Sequence, residues 1–378
     1  MIIGIPKEIK NQEHRVAITP DGVRQLVADG HSIVVEHNAG ADSGYADSDY
    51  SEAGAQLVQD AGDAWAADLV VKIKEPLAEE YPFLRAGMGL FTFLHLAAAP
   101  KLADILLEKQ VRAIAYETVQ QNDGSLPLLA PMSRIAGRLA AQIGANLLQR
   151  ENGTSHRGKG VLMGGADGAR PARVLVLGGG NVGASAAEVA LGMGASVRIL
   201  DASVDRVAQL RERFSAAGEA CDVRFMAGQL MFEMLAECDI LIGAALIPGQ
   251  HAPTLLTPSY LERMAGGVFV DVAIDQGGIS RTSRPSSYAD PVYVEAGVLH
   301  CCLPNLPASV PVSATQALTH ATFPFVRKLA ISGLQKAVQE DRMLARGVNT
   351  WDGDLTHQGV AHALKKPCKP LNMNITTR

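Results

Sequence analysis

Short apolar runs alternate with amphipathic stretches through the first third of the chain. Amphipathic spacing over residues 21–29 and 101–110 predicts helices. The apolar runs between them are short and rich in β-branched residues, which is typical of buried strands. Such alternation indicates a doubly wound α/β unit with a mainly parallel sheet. The predicted strands cover residues 2–5, 32–36, 69–74, 89–94 and 111–116.

A second set of the same kind follows a long helix. Residues 133–150 are amphipathic, and Pro131 with Ser133 as N-cap predicts where that helix begins. The glycine-rich polar stretch 151–172 predicts a loop or a small hairpin. Beyond it, helices are predicted over 183–193 and 229–237. The strands of this second unit are predicted over residues 173–177, 196–200, 223–225, 239–246, 267–272 and 298–302.

The end of the chain carries a helical pattern over 312–335 and no further set of predicted strands. We therefore expect it to pack on the first unit. This gives a discontinuous domain, 1–130 plus 306–378, into which a continuous domain, 131–305, is inserted. A length of 378 residues also favours two domains, at roughly 150 residues for each.

Composition excludes several classes of protein. A chain that is 47% hydrophobic and 19% charged is not disordered, and a net charge of −5 does not favour nucleic acid or a membrane surface as partner. The longest uncharged stretch, 296–326, is broken by prolines, so we expect no membrane span. Five cysteines without a C-x-x-C pair and no signal-peptide pattern predict a cytoplasmic protein. The histidine spacing predicts no metal site.

Gly178, Gly180 and Gly183 form G-x-G-x-x-G between a predicted strand and a predicted helix. In that context the glycines allow a tight turn, close approach of a pyrophosphate and close helix packing. Asp201, 18 residues after Gly183, can accept hydrogen bonds from ribose hydroxyls and favours NAD over NADP. Arg206 either reaches the adenosine or is a solvated surface residue. The alternative is a glycine turn that only connects strand and helix, with Asp201 solvated or capping.

Two polar residues of the first unit stand where predicted strands end. Lys74 and His95 follow apolar runs, and the carboxyl ends of strands form the ligand crevice of doubly wound sheets. We therefore expect both to face one cleft. Arg15 lies in the turn after the first strand. The residues alone leave a purely structural role open for each of them.

Several longer segments match one known family in order and spacing over essentially the whole chain. The segments include PKEIKNQEHRVAITP (6–20), VVKIKEP (70–76), LFTFLHLA (90–97), LGGGNVG (177–183), VDVAIDQGG (270–278), SRP (283–285) and LPNLPASVPVSATQALTHAT (303–322). They resemble alanine dehydrogenases, a family related to the nicotinamide-binding subunit of transhydrogenase. The resemblance implies two Rossmann-like doubly wound domains with a cleft between them.

The resemblance also implies a reaction, the reversible NAD-dependent oxidative deamination of L-alanine to pyruvate and ammonia. Arg15 and Lys74 would hold the substrate carboxylate, and His95 would act as acid and base. Asp275 would order the water that attacks the imine. Oxidation at an α-carbon needs a carboxylate anchor and a group that manages a proton and a water, and these four residues supply both.

Further cofactor contacts follow from the same resemblance, and a role in the core alone stays the alternative for the apolar ones among them. A hexamer is implied as well, with small molecules as the other partners. A transhydrogenase subunit and a non-catalytic NAD-binding regulator are the alternatives. Arg134, Met226 and the CLPNLP segment depart from the usual family pattern. The implied contacts are Ser133, Asn181, Val182, Ala245, Leu246, Val272, Ala273, Ile274, Arg284, Leu303, Pro304, Asn305 and Leu306.

Overall fold

The computed structural model describes residues 1–245 and 251–371. The chain divides into two compact units. Unit 1 consists of Met1–Met132 together with Ala308–Arg378, and unit 2 is the continuous segment Ser133–Pro307. The assignment of unit 1 to the substrate and of unit 2 to the cofactor stays a prediction.

The first segment of unit 1 alternates strands and helices, as its apolar pattern predicts. Helix α1 begins after Thr19, whose hydroxyl accepts a hydrogen bond from the Gly22 amide, with Pro20 in the first turn. The strand β3 was missed because its three residues, Gln-Leu-Val, do not form a continuous apolar run. The strands are β1 (Ile2–Ile5), β2 (Ser32–Glu36), β3 (Gln56–Val58), β4 (Leu69–Val71), β5 (Gly89–Thr92) and β6 (Arg112–Ala115). The helices are α1 (Pro20–Ala28), α2 (Asp47–Glu52), α3 (Ala61–Trp65) and α4 (Pro100–Glu108).

Helix α5 (Ala130–Leu147) begins three residues earlier than predicted, so the N-cap prediction for Ser133 was wrong. Pro131 fits the first turn, where backbone amides have no partner within the helix, and Ser133 lies inside that turn. The glycine-rich loop after α5 contains a single antiparallel bridge, between Ala166 and Ala169. The carboxylate of Asp239 anchors this loop through ion pairs with Lys159 and Arg170.

Unit 2 has its own seven-stranded sheet. The edge strand β12 was not predicted because its three residues, Tyr-Val-Glu, form no apolar run. The strands are β7 (Arg173–Leu177), β8 (Ser196–Asp201), β9 (Cys221–Phe225), β10 (Ile240–Gly243), β11 (Val268–Asp271), β12 (Tyr293–Glu295) and β13 (Val298–Cys301). The helices are α6 (Asn181–Gly192), α7 (Val204–Arg213), α8 (Gly228–Leu235) and α9 (Pro258–Leu261).

The returning segment corrects one expectation, since the chain forms two more strands after residue 305. They make a tight hairpin around Asp352-Gly353. Asp-Gly is a typical hairpin turn, and this turn was not predicted. The predicted helix over 312–335 is divided at Gly333, whose φ is 76°. The elements are α10 (Pro311–Ser332), α11 (Leu334–Glu340), α12 (Arg342–Gly347), β14 (Val348–Trp351), β15 (Asp354–Leu355) and α13 (Gln358–Leu364).

Both sheets have the doubly wound order. In unit 1 it is β15-β14-β6-β5-β4-β1-β2-β3, and in unit 2 it is β12-β13-β11-β10-β7-β8-β9. All pairings are parallel except those of β14, β15 and β12. The order reverses beside β1 in unit 1 and beside β7 in unit 2. Ligands bind at such reversal points in doubly wound sheets, outside the carboxyl ends of the strands. The predicted α/β fold class is confirmed.

Small residues let two helices of unit 2 approach closely. A Cβ on Gly137 of α5 would lie 2.0 Å from the carbonyl oxygen of Val182, in the first turn of α6. Ala140, Ala184 and Ala187 are fully buried in the same core. Helix α5 therefore packs against the amino-terminal end of α6 and fixes its position.

Candidate functional site

The carboxyl edge of the unit 1 sheet carries the three predicted residues of that unit. The predicted strand 69–74 is too long, because β4 ends at Val71. Lys74 therefore lies in the connection after β4 and not in the strand. His95 follows β5, which pairs in parallel with β4. Arg15 lies on the connection after β1, the other neighbour of β4. The topology thus brings all three onto connections that leave the same edge of one sheet.

Arg15 is buried, with 2% of its surface exposed, and is held by Glu13. Its Nε donates to Oε1 of Glu13 at 2.6 Å, and its Nη2 contacts Oε2. Its Nη1 lies 3.0 Å from the Met132 sulfur. The Glu13 carboxylate therefore fixes one edge of the guanidinium and balances its charge. Glu13 was not predicted, although an acidic residue two positions before an arginine was a usable signal.

Lys72 is fully buried between two carboxylates. Its Nζ lies 2.7 Å from Glu80 and 3.2 Å from Glu8. Burial opposes the charge, but the two carboxylates raise the pKa of Lys72 above its ordinary value, so the ammonium persists. Glu8 also accepts the backbone amide of Ile73 at 2.6 Å. This network ties the segment before Lys74 to the segment after β1.

His95 adopts a left-handed conformation with φ of 50°, which is uncommon for a residue with a side chain. Its amide donates to Oε1 of Glu117 at 2.6 Å, and the Leu94 amide donates to the same carboxylate. The imidazole ring stacks on Phe93 with centroids 5.8 Å apart. Its Nδ1 lies 3.6 Å from Oε2 of Glu75. The backbone and the ring of His95 are thus each held by a carboxylate.

Each glycine of the unit 2 motif has its own steric reason. Gly178 has φ of 95°, and a Cβ there would lie 2.7 Å from the Ala244–Ala245 backbone. A Cβ on Gly183 would lie 1.9 Å from the Gly178 carbonyl oxygen. At Gly180, by contrast, no described atom lies within 4 Å of the Cβ position. Gly178 and Gly183 therefore allow close packing, while Gly180 leaves an open approach to the backbone.

Asp201 and Arg206 both hold the glycine turn. Oδ2 of Asp201 accepts the Gly179 amide at 2.7 Å, and Oδ1 accepts the Ser203 amide at 2.8 Å. Nε of Arg206 donates to the Gly179 carbonyl at 2.7 Å. Each carboxylate oxygen has a second lone pair, so Asp201 can brace the turn and still accept a ribose hydroxyl. Neither residue is simply solvated.

Asp275 lies in a short 3₁₀ turn after β11 and is exposed. The turn is fixed by Asp271, which accepts the Ala273 amide at 3.1 Å and the Ser283 hydroxyl at 2.6 Å. Burial raises the pKa of Asp271, although these hydrogen bonds oppose the shift. Asp275 Oδ2 accepts a long hydrogen bond, 3.4 Å, from the Asn305 amide. Asp271 was not predicted, because its role in fixing the turn is visible only in the hydrogen bonds of the folded chain.

The remaining predicted contacts are distributed over unit 2. Ser133 lies in the first turn of α5, and Asn181 and Val182 open α6. Arg284 stacks on Tyr293, with 3.8 Å between the guanidinium carbon and the ring centroid. Leu246 lies outside the described residues. Four of the predicted residues, Ala273, Ile274, Leu303 and Leu306, are buried apolar side chains, while Val272, Pro304 and Asn305 are partly buried.

Two features are absent from the described part of the chain. Residues 1–245 and 251–371 contain no group of three or more His, Cys, Asp or Glu side chains arranged to hold a metal ion. Within the same residues, no helix combines the length and the apolar character that crossing a membrane requires.

The parallel sheet, the glycine turn after its first strand and the acidic residue that ends the second strand define unit 2 as Rossmann-like. Folds of this class bind nicotinamide cofactors. Residues 4–136 match the alanine dehydrogenase/PNT N-terminal domain, and residues 140–358 match the alanine dehydrogenase/PNT C-terminal domain. The chain belongs to the alanine dehydrogenase/PNT family, as its motifs had suggested.

Named relatives are similar over nearly the full length. An alanine dehydrogenase from Staphylococcus saprophyticus is 47% identical over 367 residues, which cover 96% of this chain and 97% of the relative. One from Halomonas elongata is 48% identical, covering 96% of each chain. The solved structure of an L-alanine dehydrogenase has a TM-score of 0.91 at 48% identity, covering 97% of this chain and 99% of its own. A transhydrogenase from Sinorhizobium meliloti has a TM-score of 0.78 at 25% identity, with 95% and 99% covered.

Proposed function

We propose that this protein catalyses the reversible NAD-dependent oxidative deamination of L-alanine to pyruvate and ammonia. The proposal is supported by two features that occur together in one chain. Unit 2 has a glycine turn that is open at Gly180, and unit 1 has a sheet edge with Arg15, Lys74 and His95. Relatives with 47–48% identity that are named alanine dehydrogenases support it.

The unit 2 turn fits a dinucleotide. The open Cβ position at Gly180 leaves room for a pyrophosphate, and among the described residues no side chain caps the first turn of α6. The amides of that turn are therefore donors for an anion. The carboxylate of Asp201 suits ribose hydroxyls and disfavours a 2′-phosphate, which supports NAD over NADP. When bound, NAD supplies a hydride acceptor for the alanine α-carbon.

Other side chains of unit 2 complete the proposed cofactor site. Arg206 faces the adenosine end, since it already contacts the glycine turn. The backbone around Ala245 lies beside Gly178. The resemblance adds contacts from the Asp275 turn, the segment after β13 and the first turn of α5. These are Ser133, Asn181, Val182, Val272, Ala273, Ile274, Arg284, Leu303, Pro304, Asn305 and Leu306.

Arg15 and Lys74 are proposed to hold the substrate carboxylate. Glu13 holds the guanidinium of Arg15, and the ammonium of Lys74 is proposed as a second donor to the same substrate carboxylate. Arg15 contributes directional hydrogen bonding from a rigid, buried position. Both cations together accept one small carboxylate.

His95 and Asp275 are proposed to manage the proton and the water. Loss of hydride from the α-carbon leaves an imine on the substrate, which must add water before ammonia can leave. Asp275 orders that water and assists departure of the amine. His95 hydrogen-bonds the reacting oxygen or nitrogen and accepts a proton as the carbonyl forms, a task suited to imidazole. A cytoplasmic location stays a prediction from the cysteine usage and the N-terminal pattern, and a hexameric assembly stays a prediction of the family resemblance.

The test is alanine-dependent reduction of NAD. Purified protein with NAD at alkaline pH should increase absorbance at 340 nm when L-alanine is added, and pyruvate should accumulate in equal amount. D-alanine, glycine and L-serine serve as comparison substrates. Normal NADH binding without turnover of alanine would favour the alternative function, a non-catalytic NAD-binding regulator. Hydride transfer from NADH to a nicotinamide analogue without alanine would favour the transhydrogenase.

A further inference from the structure

Glu75 follows Lys74 directly and lies beside His95, yet the proposed reaction has given it no part. Its side chain is 17% exposed. One carboxylate oxygen, Oε1, contacts the ammonium of Lys10, which lies on the connection after β1. The other, Oε2, is directed to Nδ1 of His95 at 3.6 Å. The carboxylate thus bridges a fixed cation and the imidazole ring.

The Oε2 atom is buried and has no hydrogen-bond partner among the residues that the structure describes. A buried carboxylate oxygen without a partner is costly, and Nδ1 of His95, at 3.6 Å, is placed to relieve this cost. A small rotation of the ring brings the 3.6 Å separation into hydrogen-bond range. The geometry is therefore that of an ion pair that can tighten when the imidazole becomes protonated.

The backbone conformation of His95 limits how the ring can turn away. Its left-handed φ is held by the Glu117 carboxylate, and its ring rests on Phe93. With Nδ1 directed to a carboxylate, Nδ1 carries the hydrogen, and Nε2 is the nitrogen that can exchange a proton. Two carboxylates, from the connections after β4 and β6, therefore determine where the ring lies and which nitrogen reacts.

We propose that Glu75 is a positioning residue, which orients His95 through Nδ1 and stabilises the protonated ring during turnover. The inference rests on the proposed function, because it gives Glu75 a part only if His95 is the acid and base. Glu75 itself does not exchange a proton. Its contacts with His95 and Lys10 outweigh burial and lower its pKa to about 2, so it remains a carboxylate across the range of any assay.

The charged and titratable groups near His95 differ in whether they contact its ring. Glu75 faces Nδ1, Lys10 pairs with Glu75, and Glu117 reaches the backbone amide of His95. Burial lowers the pKa of His357, at the start of α13, although the negative charge of Glu117 opposes this shift. Of these, Glu75 is the group that combines a negative charge with direct contact to the ring.

The experiment compares Glu75→Gln with Glu79→Gln in the full-length protein. Glu79 is exposed on the same connection, so its variant makes the same charge change without the contact. For Glu75→Gln we expect kcat for alanine to fall roughly 10- to 100-fold, part of what acid–base catalysis supplies, with KM changed less than about threefold. The acidic half-maximum of kcat/KM should move to lower pH, because the protonated ring loses the counter-charge that Glu75 places 3.6 Å from Nδ1. NADH binding and the melting temperature should stay unchanged.

Glu75→Asp is the second variant, which keeps the charge but withdraws the carboxylate from the ring by one methylene. An intermediate kcat with the half-maximum near the wild-type pH supports the proposal. Wild-type kcat and pH profile in Glu75→Gln, or wild-type kcat in Glu75→Asp, would overturn it. If Glu75→Gln does not fold, Glu75→Asp decides by the same criterion. If wild-type protein shows no alanine-dependent turnover, the proposed function has failed, which is a separate result.

Discussion

The first five strands of each sheet lie in the same order, β5-β4-β1-β2-β3 in unit 1 and β11-β10-β7-β8-β9 in unit 2, but the carboxyl edges of the two sheets carry different chemistry. In unit 1 the edge consists of paired charges, such as Arg15 with Glu13 and Lys72 with Glu8 and Glu80. In unit 2 the edge consists of backbone brought close by glycines, with Asp201 holding the turn. Strand order therefore locates a site, while the residue types on the connections determine its chemistry.

This difference predicts different weaknesses. A paired-charge edge should be sensitive to loss of a charge or a ring, because each group is held by a partner. A glycine edge should be sensitive to added volume, because its function is close approach. Substitutions of matched size on the two edges can separate these effects.

The largest effect is expected for His95→Ala. Turnover should fall roughly 10²- to 10⁴-fold, the usual contribution of an acid–base group, while NADH affinity changes less than about twofold. Fluorescence titration with NADH and the 340 nm assay measure the two quantities. Because alanine is strained at positive φ, His95→Asn is the matched variant, since asparagine tolerates this conformation. Turnover close to wild type in both variants would remove His95 from the mechanism.

A second test compares Gly183→Ala with Gly180→Ala in unit 2. The added Cβ at position 183 meets the Gly178 carbonyl at 1.9 Å, so the turn must distort. We expect a loss of roughly 1–3 kcal/mol in the free energy of unfolding and a corresponding loss of NADH affinity. Thermal melts and NADH titration report the two properties.

Gly180→Ala is the control for that clash, because no described atom occupies the added volume. The variant should keep the wild-type melting temperature and still bind NADH about tenfold more weakly, since the methyl group blocks the approach of a pyrophosphate. Unchanged affinity in Gly180→Ala would place the nucleotide elsewhere.

The smallest effect is expected for Asp201→Asn, which removes a charge while keeping one of the two oxygen acceptors for the turn. The preference for NAD over NADP, measured as the ratio of kcat/KM values, should fall roughly tenfold, consistent with about 1–2 kcal/mol for one charge interaction. Asp201→Gly should lower the preference and also destabilise the turn, because the Gly179 and Ser203 amides lose their acceptor. An unaltered ratio in both variants would contradict the role given to Asp201.

Most of the fold could be predicted because its strands are apolar runs of four or five residues. The runs at 2–5, 32–36 and 173–177 coincide with β1, β2 and β7. Strands β3, β12, β14 and β15 were missed because polar residues stand among their two to four residues, so none of them forms a continuous apolar run. Tertiary pairing, rather than local pattern, forms them.

The candidate site was predicted in part. Residues that carry the chemistry, such as Lys74 and His95, stand in recognisable segments. Their supporting carboxylates, Glu13, Glu75 and Glu117, were not singled out, because their partners are assembled from different connections of the sheet. A linear pattern shows which side chains are present, but not which of them meet. The roles given to the site residues stay predictions until the variants are measured.

The pairing of β14 with β6 has a consequence for synthesis of the chain. Ala113 of β6 aligns with Thr350, whose hydroxyl also donates to the Val111 carbonyl at 2.8 Å. At about 5–20 residues per second, roughly 10–50 seconds separate the emergence of these partners from the ribosome. During that interval unit 2 can complete its strand pairings, while β6 presents an unpaired apolar edge, a template for unwanted association. Chains released before β14 should therefore depend on chaperones far more than complete ones.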